Sequence, residues 1–159
     1  MDTQVNIRKA DARDAASICH LVRELAAYEK AESEMWLNVD DYRRYFNEDH
    51  FECHVAEVEG NVAGMILFYP TFSTWKGPML HLEDFIVSSE YRRQGIGTLL
   101  MDHFLNIAIQ KEVNLVKWEV LDWNKDAIKF YKNYDVIIER GWWNVKQILI
   151  DQKGRSSMG

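Results

Sequence analysis

Two arginines and two glycines stand between an apolar run and a helical pattern in the stretch EYRRQGIGTLL, residues 90–100. Glycine lets a backbone approach a ligand closely, and a helix N-terminus carries unpaired N–H groups with a partial positive charge. Arg92 and Arg93 add charged donors beside Gly95 and Gly97. This turn therefore predicts an anion site. The alternative is a tight turn that needs its glycines for conformation alone, with solvated arginines.

Two familiar phosphate loops do not match this turn. A Walker A loop needs Lys-Ser or Lys-Thr after its last glycine, whereas Gly97 is followed by Thr98 and Leu99. A dinucleotide-binding loop needs a third glycine, where the chain has Leu100. It also needs its glycines directly after the strand, and Gly95 stands eight positions after Val87. The turn is therefore neither a Walker A loop nor a dinucleotide-binding loop.

Adjacent acids in the strand MLHLEDFIV, residues 79–87, are candidates for proton transfer. A carboxylate beside a reacting group can take a proton from it. The two-residue period of a strand predicts that Glu83 and Asp84 point to opposite faces, so that only one of them serves a given cleft. The alternative is a solvated strand end or a salt bridge.

The elements that must position these residues follow from hydrophobic periodicity and turn signals. Asp11 with Asp14, and Asn38, are predicted helix caps, and Pro70 is predicted to end its strand. The pattern predicts one mixed α/β domain over residues 1–150, with a frayed tail at 151–159. The predicted helices cover 11–28, 40–46, 95–112 and 124–134, and the predicted strands cover 5–10, 51–58, 62–70, 79–87, 115–121, 136–138 and 143–150.

Composition narrows the class of protein. The 159 residues are 47% hydrophobic and 28% charged, as in a globular protein, and the net charge of −6 argues against nucleic acid as a partner. Two cysteines, no signal peptide and no long apolar run predict a cytoplasmic protein without membrane contact. His50, Cys53 and His54 have metal-ligand spacing but approach a strand, so we expect no metal site there.

The motif Arg92-x-x-Gly95-x-Gly97 resembles the acetyl-CoA pyrophosphate loop of the GNAT N-acetyltransferases. Asn124 followed seven residues later by Tyr131 is similar to a second signature of that family. Within the family, ELAAYEK (24–30), Trp75, LEDFIV (82–87) and GWW (141–143) resemble the spermidine/spermine and diamine branch. The resemblance implies the GNAT fold, a central mixed sheet flanked by helices, with acetyl-CoA as cosubstrate and a homodimer.

The resemblance also implies roles for individual residues. Glu83 would deprotonate and bind the amine, and Tyr131 would protonate the departing CoA thiolate, since a phenol is a suitable acid for a thiolate. Glu83 would share the amine pocket with Tyr28, Glu29, Trp75 and Asp84. The residues implied for acetyl-CoA are Phe85, Ile86, Val87, Arg92, Arg93, Gln94, Gly95, Ile96, Gly97, Thr98, Asn124, Lys125, Asp126, Ala127 and Tyr131.

Three positions depart from the pattern of that branch. Ser73-Thr74 precedes Trp75 where an acid is common, Arg140 precedes GWW where another is expected, and Asp135 replaces a helix-ending glycine. Because this chain has fewer acids at these positions than that branch, a diamine or lysine-like compound is as suitable a substrate as a polyamine. The predicted function is acetyl transfer from acetyl-CoA to a primary amine of a small amine by direct attack. The alternatives are a non-catalytic acyl-CoA sensor and an acetyltransferase for protein N-termini or lysines.

Overall fold

The computed structural model describes residues 3–150, which divide between Glu119 and Val120 into two compact units. The second unit contains one α-helix, α4 (Lys125–Tyr131). The first unit contains five strands and three α-helices. In chain order these are β1 (Val5–Lys9), α1 (Ala15–Tyr28), α2 (Val39–Asn47), β2 (Glu52–Val58), β3 (Asn61–Ser73), β4 (Gly77–Val87), α3 (Ile96–Gln110) and β5 (Leu115–Lys117).

The five strands form one mixed sheet in the order β1-β2-β3-β4-β5. All neighbours pair antiparallel except β4 and β5, which pair parallel over Met79–His81 of β4. Helices α1 and α2 cover one face, where Ile18 and Tyr42 belong to a buried cluster with Leu67 and Ile86. Helix α3 covers the other face, since the rings of Phe104 and Phe68 lie 5.2 Å apart. The predicted mixed sheet flanked by helices is confirmed.

Both predicted helix caps are confirmed. Asp11 and Asp14 form a reciprocal capping box at a 3-10 turn, Ala12–Asp14, that leads into α1. Asn38 accepts a hydrogen bond from the backbone of Asp41 at 3.0 Å, and the Asp41 carboxylate accepts one from the backbone of Asn38 at 2.9 Å. Each box satisfies N–H groups that the first helical turn leaves unpaired.

The prediction that Pro70 ends a strand is wrong. β3 continues through Pro70, which pairs with Leu80 of β4. Phe68 is the last residue of β3 that pairs with β2, so Pro70 lies where β3 has only one neighbouring strand. Proline is tolerated at such an edge because its missing N–H has no partner to lose.

The predicted strands at the end of the chain are also wrong. β5 ends at Lys117 rather than at residue 121, and residues 136–138 and 143–150 are not strands. An apolar alternating segment becomes a strand only when a neighbouring strand accepts its backbone hydrogen bonds. The predicted tail, 151–159, lies outside the described residues, and the single domain stays a prediction. Between residues 3 and 150, no helix has the length and apolar character needed to span a bilayer.

Candidate active site

A β-bulge in β4 brings Glu83 and Asp84 to the same face of the sheet. Leu67 of β3 pairs with Asp84, but the next residue, Phe68, pairs with Leu82, so Glu83 is an extra residue in β4. An extra residue interrupts the two-residue alternation of a strand. The prediction that the two acids point to opposite faces is therefore wrong. Both carboxylates face the side covered by α1 and α2.

Glu83 lies between two side chains that share this face. The hydroxyl of Tyr69 donates a hydrogen bond to Glu83 Oε2 at 2.8 Å, and His81 Nε2 lies 3.4 Å from the same oxygen. Burial, followed by the hydrogen bond to Glu83, raises the pKa of Tyr69, so this phenol remains a donor. Half of the Glu83 side chain is exposed, which leaves its carboxylate accessible to a substrate.

Asp84 is partly buried, and its carboxyl is shifted towards the neutral form. Loss of water raises the pKa of Asp84 to about 7, with further contributions from the negative charges of Glu83 and Glu29. Burial also raises the pKa of Glu29. Within residues 3–150, no salt bridge joins a cation to Asp84 or Glu29. An ammonium group placed among these three acids would relieve their mutual repulsion.

The arginine-glycine turn connects β4 to the N-terminus of α3. A 3-10 turn, Ser89–Tyr91, follows the strand, and Gly95 then adopts a left-handed conformation with φ +76° as the N-cap of α3. Among the described residues, no side chain caps this helix. The N–H groups of its first turn therefore remain available for an anion.

The arginines and apolar residues of this turn differ in what they can offer a ligand. Arg92, Arg93 and Gln94 are exposed. Arg92 also makes two contacts: its Nε donates towards the carbonyl of Val87 at 3.4 Å, and its guanidinium lies 5.4 Å from the centre of the Tyr28 ring. The side chain of Ile96 is 1% exposed, so Ile96 can offer only its backbone N–H. Gly97 and Thr98 follow in the first turn of α3.

The end of β4 has one edge without a strand neighbour in the described part of the chain. β5 pairs only with Met79–His81, so Phe85, Ile86 and Val87 have no parallel partner on that side. Ile86 is buried in the cluster beneath α1, and its carbonyl oxygen lies on the side of β3, next to Gly64. This edge offers backbone donors and acceptors to a ligand that lies along the strand.

The remaining predicted residues of the amine pocket belong to the end of α1 and to the turn between β3 and β4. Trp75 is 88% exposed in the turn between β3 and β4, and Gly77 stands six positions, roughly 20 Å of strand, before Glu83. Tyr28 and Glu29 stand at the C-terminal end of α1. The structure thus brings Glu29 near the acids but does not bring Trp75 there.

In the second unit, Asn124 caps α4. Its side chain accepts a hydrogen bond from the backbone of Ala127 at 3.3 Å, and Lys125 and Asp126 occupy the first turn. Tyr131 ends α4 and is buried, at 9% exposure. Asp135 is left-handed, with φ +52°, a conformation that aspartate tolerates better than most residues.

The histidines near Cys53 do not converge. His50 lies 2.9 Å from Glu48, whereas His54 lies 2.9 Å from Glu52 and 2.9 Å from His103. Within residues 3–150, no group of three or more His, Cys, Asp or Glu side chains could hold a metal ion.

Comparison with known proteins decides the family. The model of the acetyltransferase (GNAT) family matches residues 15–135, which include both the arginine-glycine turn and α4. The chain belongs to the GNAT acetyltransferase family. It is an acetyl-CoA-dependent N-acetyltransferase that transfers acetyl to an amine.

Individual relatives support this assignment. Thialysine N-epsilon-acetyltransferase of Bos taurus is 38% identical over 151 residues, which cover 87% of this chain and 89% of the relative. Spermidine/spermine N(1)-acetyltransferase-like protein 1 of Homo sapiens is 33% identical over 86% of this chain and 21% of its own length. An aminoglycoside N-acetyltransferase solved in complex with CoA shares the fold, with a TM-score of 0.74 at 15% identity, over 93% of this chain and 98% of that one.

Sequence reasoning missed two neighbours of the candidate residues. Tyr69 donates to Glu83 across fourteen positions, and no local signal predicts that contact. Glu24 bonds the residues that follow β4, Ser88 and Ser89, across more than sixty positions. Both contacts depend on which strands and helices become neighbours, which periodicity alone does not specify.

Proposed function

We propose that this enzyme acetylates a primary amine of a small diamine or lysine-like compound by direct attack within a ternary complex with acetyl-CoA. The observation that carries the proposal is a group of three acids, Glu29, Glu83 and Asp84. Burial and the negative charges of Glu83 and Glu29 together raise the pKa of Asp84. A cationic amine compensates such a group, whereas an anionic or neutral acceptor does not.

The proposed chemistry starts with an amine that arrives as an ammonium, because alkylamines have a pKa near that of lysine, about 10.4. Glu83 takes its proton, with the carboxylate held in place by Tyr69. The neutral nitrogen then attacks the thioester carbonyl carbon, and the oxyanion accepts a hydrogen bond from a backbone N–H at the free edge of β4. The C–S bond breaks, and the CoA thiolate receives a proton from Tyr131. The nitrogen loses its second proton as the amide forms, and the Tyr131 phenolate accepts that proton, which restores the phenol.

The acetyl-CoA site is proposed at the same end of β4. The pyrophosphate would lie on the N–H groups of Gly95, Ile96, Gly97 and Thr98, with Arg92, Arg93 and Gln94 as polar neighbours. The rest of the cofactor would follow the free edge of Phe85–Val87. Asn124, Lys125, Asp126 and Ala127 are proposed cofactor contacts because of the second family signature.

Three observations favour a short acceptor over a long polyamine. Ser73 Oγ accepts hydrogen bonds from the backbones of Trp75 and Lys76, at 3.2 and 3.1 Å, so it shapes the turn where an acid would otherwise stand. Lys76 directly follows Trp75, and Arg140 precedes GWW at a position where an acid is expected in that branch, so both add positive charge. The bovine relative is named for thialysine, a lysine analogue, and it matches along nearly its whole length.

The first test measures free-thiol release from acetyl-CoA with thialysine, lysine, putrescine, spermidine, spermine and a peptide as acceptors. We expect the highest kcat/KM with a lysine-like compound or diamine. Glu83→Gln should lower kcat by about 100-fold, since general base catalysis contributes that much or more. Glu59→Gln, the same change in the exposed β2–β3 turn, is the control. Turnover of the peptide alone, or unchanged kcat in Glu83→Gln, would contradict the proposal.

The role of Tyr131 has a separate test. Tyr131→Phe removes only the hydroxyl, so we expect kcat to fall by about 100-fold while the KM values change little. Tyr134→Phe, an identical change three residues further along the chain, is the control and should retain full kcat. Equal kcat values for the two variants would remove Tyr131 from the mechanism.

A further inference from the structure

One carboxylate of α1 holds the segment that leads into the arginine-glycine turn. The hydroxyl of Ser88 donates to Glu24 Oε2 at 3.1 Å, and the backbone N–H of Ser89 donates to Glu24 Oε1 at 2.7 Å. Ser88 is buried, and its own backbone N–H donates to the carbonyl of Ala63 at 2.8 Å. The first residues after β4 are therefore fixed from both α1 and β3.

The Glu24 contact is charged in the folded protein. Burial by itself would raise the pKa of Glu24, but the hydrogen bonds from Ser89 and Ser88 outweigh it, and the pKa is lowered. Hydrogen bonds to an ionised carboxylate are shorter and stronger than those between neutral groups. The bond from Ser89 has the length of this stronger class.

A second contact joins the same helix to the same turn. Tyr28 lies four residues after Glu24, and residues four apart share a helix face. The guanidinium of Arg92 lies over the Tyr28 ring. One face of α1 thus contacts the turn at its beginning, through Glu24, and at its first arginine, through Tyr28. The same helix ends beside Glu29, in the proposed amine pocket.

We infer that Glu24 is a positioning residue for acetyl-CoA: its carboxylate sets the placement of residues 88–97, so that the turn meets the cofactor pyrophosphate without a prior rearrangement. The inference rests on the proposed cofactor site at this turn. Glu24 does not touch the reacting atoms in this account. It acts through Ser88 and Ser89, and its loss lets the turn occupy positions that bind the pyrophosphate poorly.

The test compares two acetyl donors, acetyl-CoA and acetylpantetheine, which carries the same thioester but lacks the pyrophosphate. Glu24→Ala should raise the KM for acetyl-CoA by about tenfold, the loss expected from a charge-assisted hydrogen bond. Its KM for acetylpantetheine should not change. Glu24→Gln should lie between wild type and Glu24→Ala, because its amide oxygen can still accept the bond from Ser89.

Asp41→Asn is the matched control, since it alters a carboxylate that accepts a backbone hydrogen bond of similar length at the start of α2. It should leave both KM values unchanged. A thermal unfolding midpoint for each variant separates general destabilisation from a displaced turn. If Glu24→Ala raises both KM values equally, or neither, the positioning role is refuted while the cofactor site stands. If wild-type enzyme has the same KM for both donors, the pyrophosphate does not bind this turn, and both the cofactor site and the inference fail.

Discussion

Glu83 and Asp84 are adjacent in sequence and share a face of the sheet, yet their surroundings prepare them for different tasks. Glu83 is half exposed and receives a hydrogen bond from Tyr69, which holds the carboxylate in one orientation. Asp84 is less accessible and near the point of neutralisation at neutral pH. In the proposed mechanism, Glu83 takes the proton from the amine, and the negative charge of Asp84 attracts the ammonium group when it binds.

The raised pKa of Asp84 predicts a pH dependence of amine binding. The pKa of Asp84 is about 7, so its carboxyl is neutral below that pH and ionised above it, whereas an alkylamine stays protonated throughout this range. Ammonium affinity should therefore increase as the pH rises through about 7. Asp84→Asn should abolish this change and weaken binding by about tenfold at pH 8.

Calorimetry of amine binding to the CoA complex between pH 5.5 and 8.5 measures this effect without the catalytic step. Asp102→Asn, at an exposed position of α3, is the control and should keep the wild-type pH profile. A profile that persists in Asp84→Asn would assign the titration to another group.

At the scale of elements, the close approach of β3 to β4 positions the end of β4. Gly64 pairs with Val87, and a Cβ atom added to Gly64 would lie 2.7 Å from the carbonyl oxygen of Ile86. That oxygen belongs to the backbone and cannot rotate away. Any side chain at position 64 must therefore displace the strand end where acetyl-CoA is proposed to bind.

Gly64→Ala should lower the free energy of unfolding by about 1–3 kcal/mol, as overpacking does, and should also raise the KM for acetyl-CoA. Urea denaturation and donor kinetics measure the two effects. Gly60→Ala is the matched control: Gly60 has φ +82°, but a Cβ added there would meet open space, so it should lose stability without a change in KM. Loss of stability alone in Gly64→Ala would show that the end of β4 tolerates displacement.

At the scale of the whole molecule, exposed apolar side chains concentrate near the end of the described chain. Trp143 is 91% exposed, and large apolar side chains of the same segment are also exposed, namely those of Ile137, Trp142, Val145, Ile148 and Leu149. Monomeric proteins seldom expose so many large apolar groups together. We therefore propose that residues 136–150 contribute to a homodimer interface.

Sedimentation equilibrium should show a dimer, and Trp143→Ser should shift it towards monomer, because a large apolar contact at an interface is lost. Ile109→Ser, which replaces another exposed apolar residue, on α3, should leave the assembly unchanged. A monomer at all concentrations of the wild-type chain would refute the dimer.

Features that depend on residues close together in the chain could be predicted from the sequence. The capping boxes at Asp11 and Asn38 and the turn at Gly95 depend on nearby backbone groups. The spacing of Arg92 to Gly97 and of Asn124 to Tyr131 was sufficient to indicate the family. These signals are local, because each is satisfied by atoms within a few residues.

The tertiary structure alone decided how distant residues meet. Strand periodicity assigned Glu83 and Asp84 to opposite faces, but their orientation depends on the register of β4 against β3, where one extra residue reverses the alternation. The bond from Tyr69 to Glu83 and the hold of Glu24 on Ser88 and Ser89 likewise need neighbours far away in sequence. Pairing and register minimise the free energy of the whole sheet, so no single segment contains the information that specifies them.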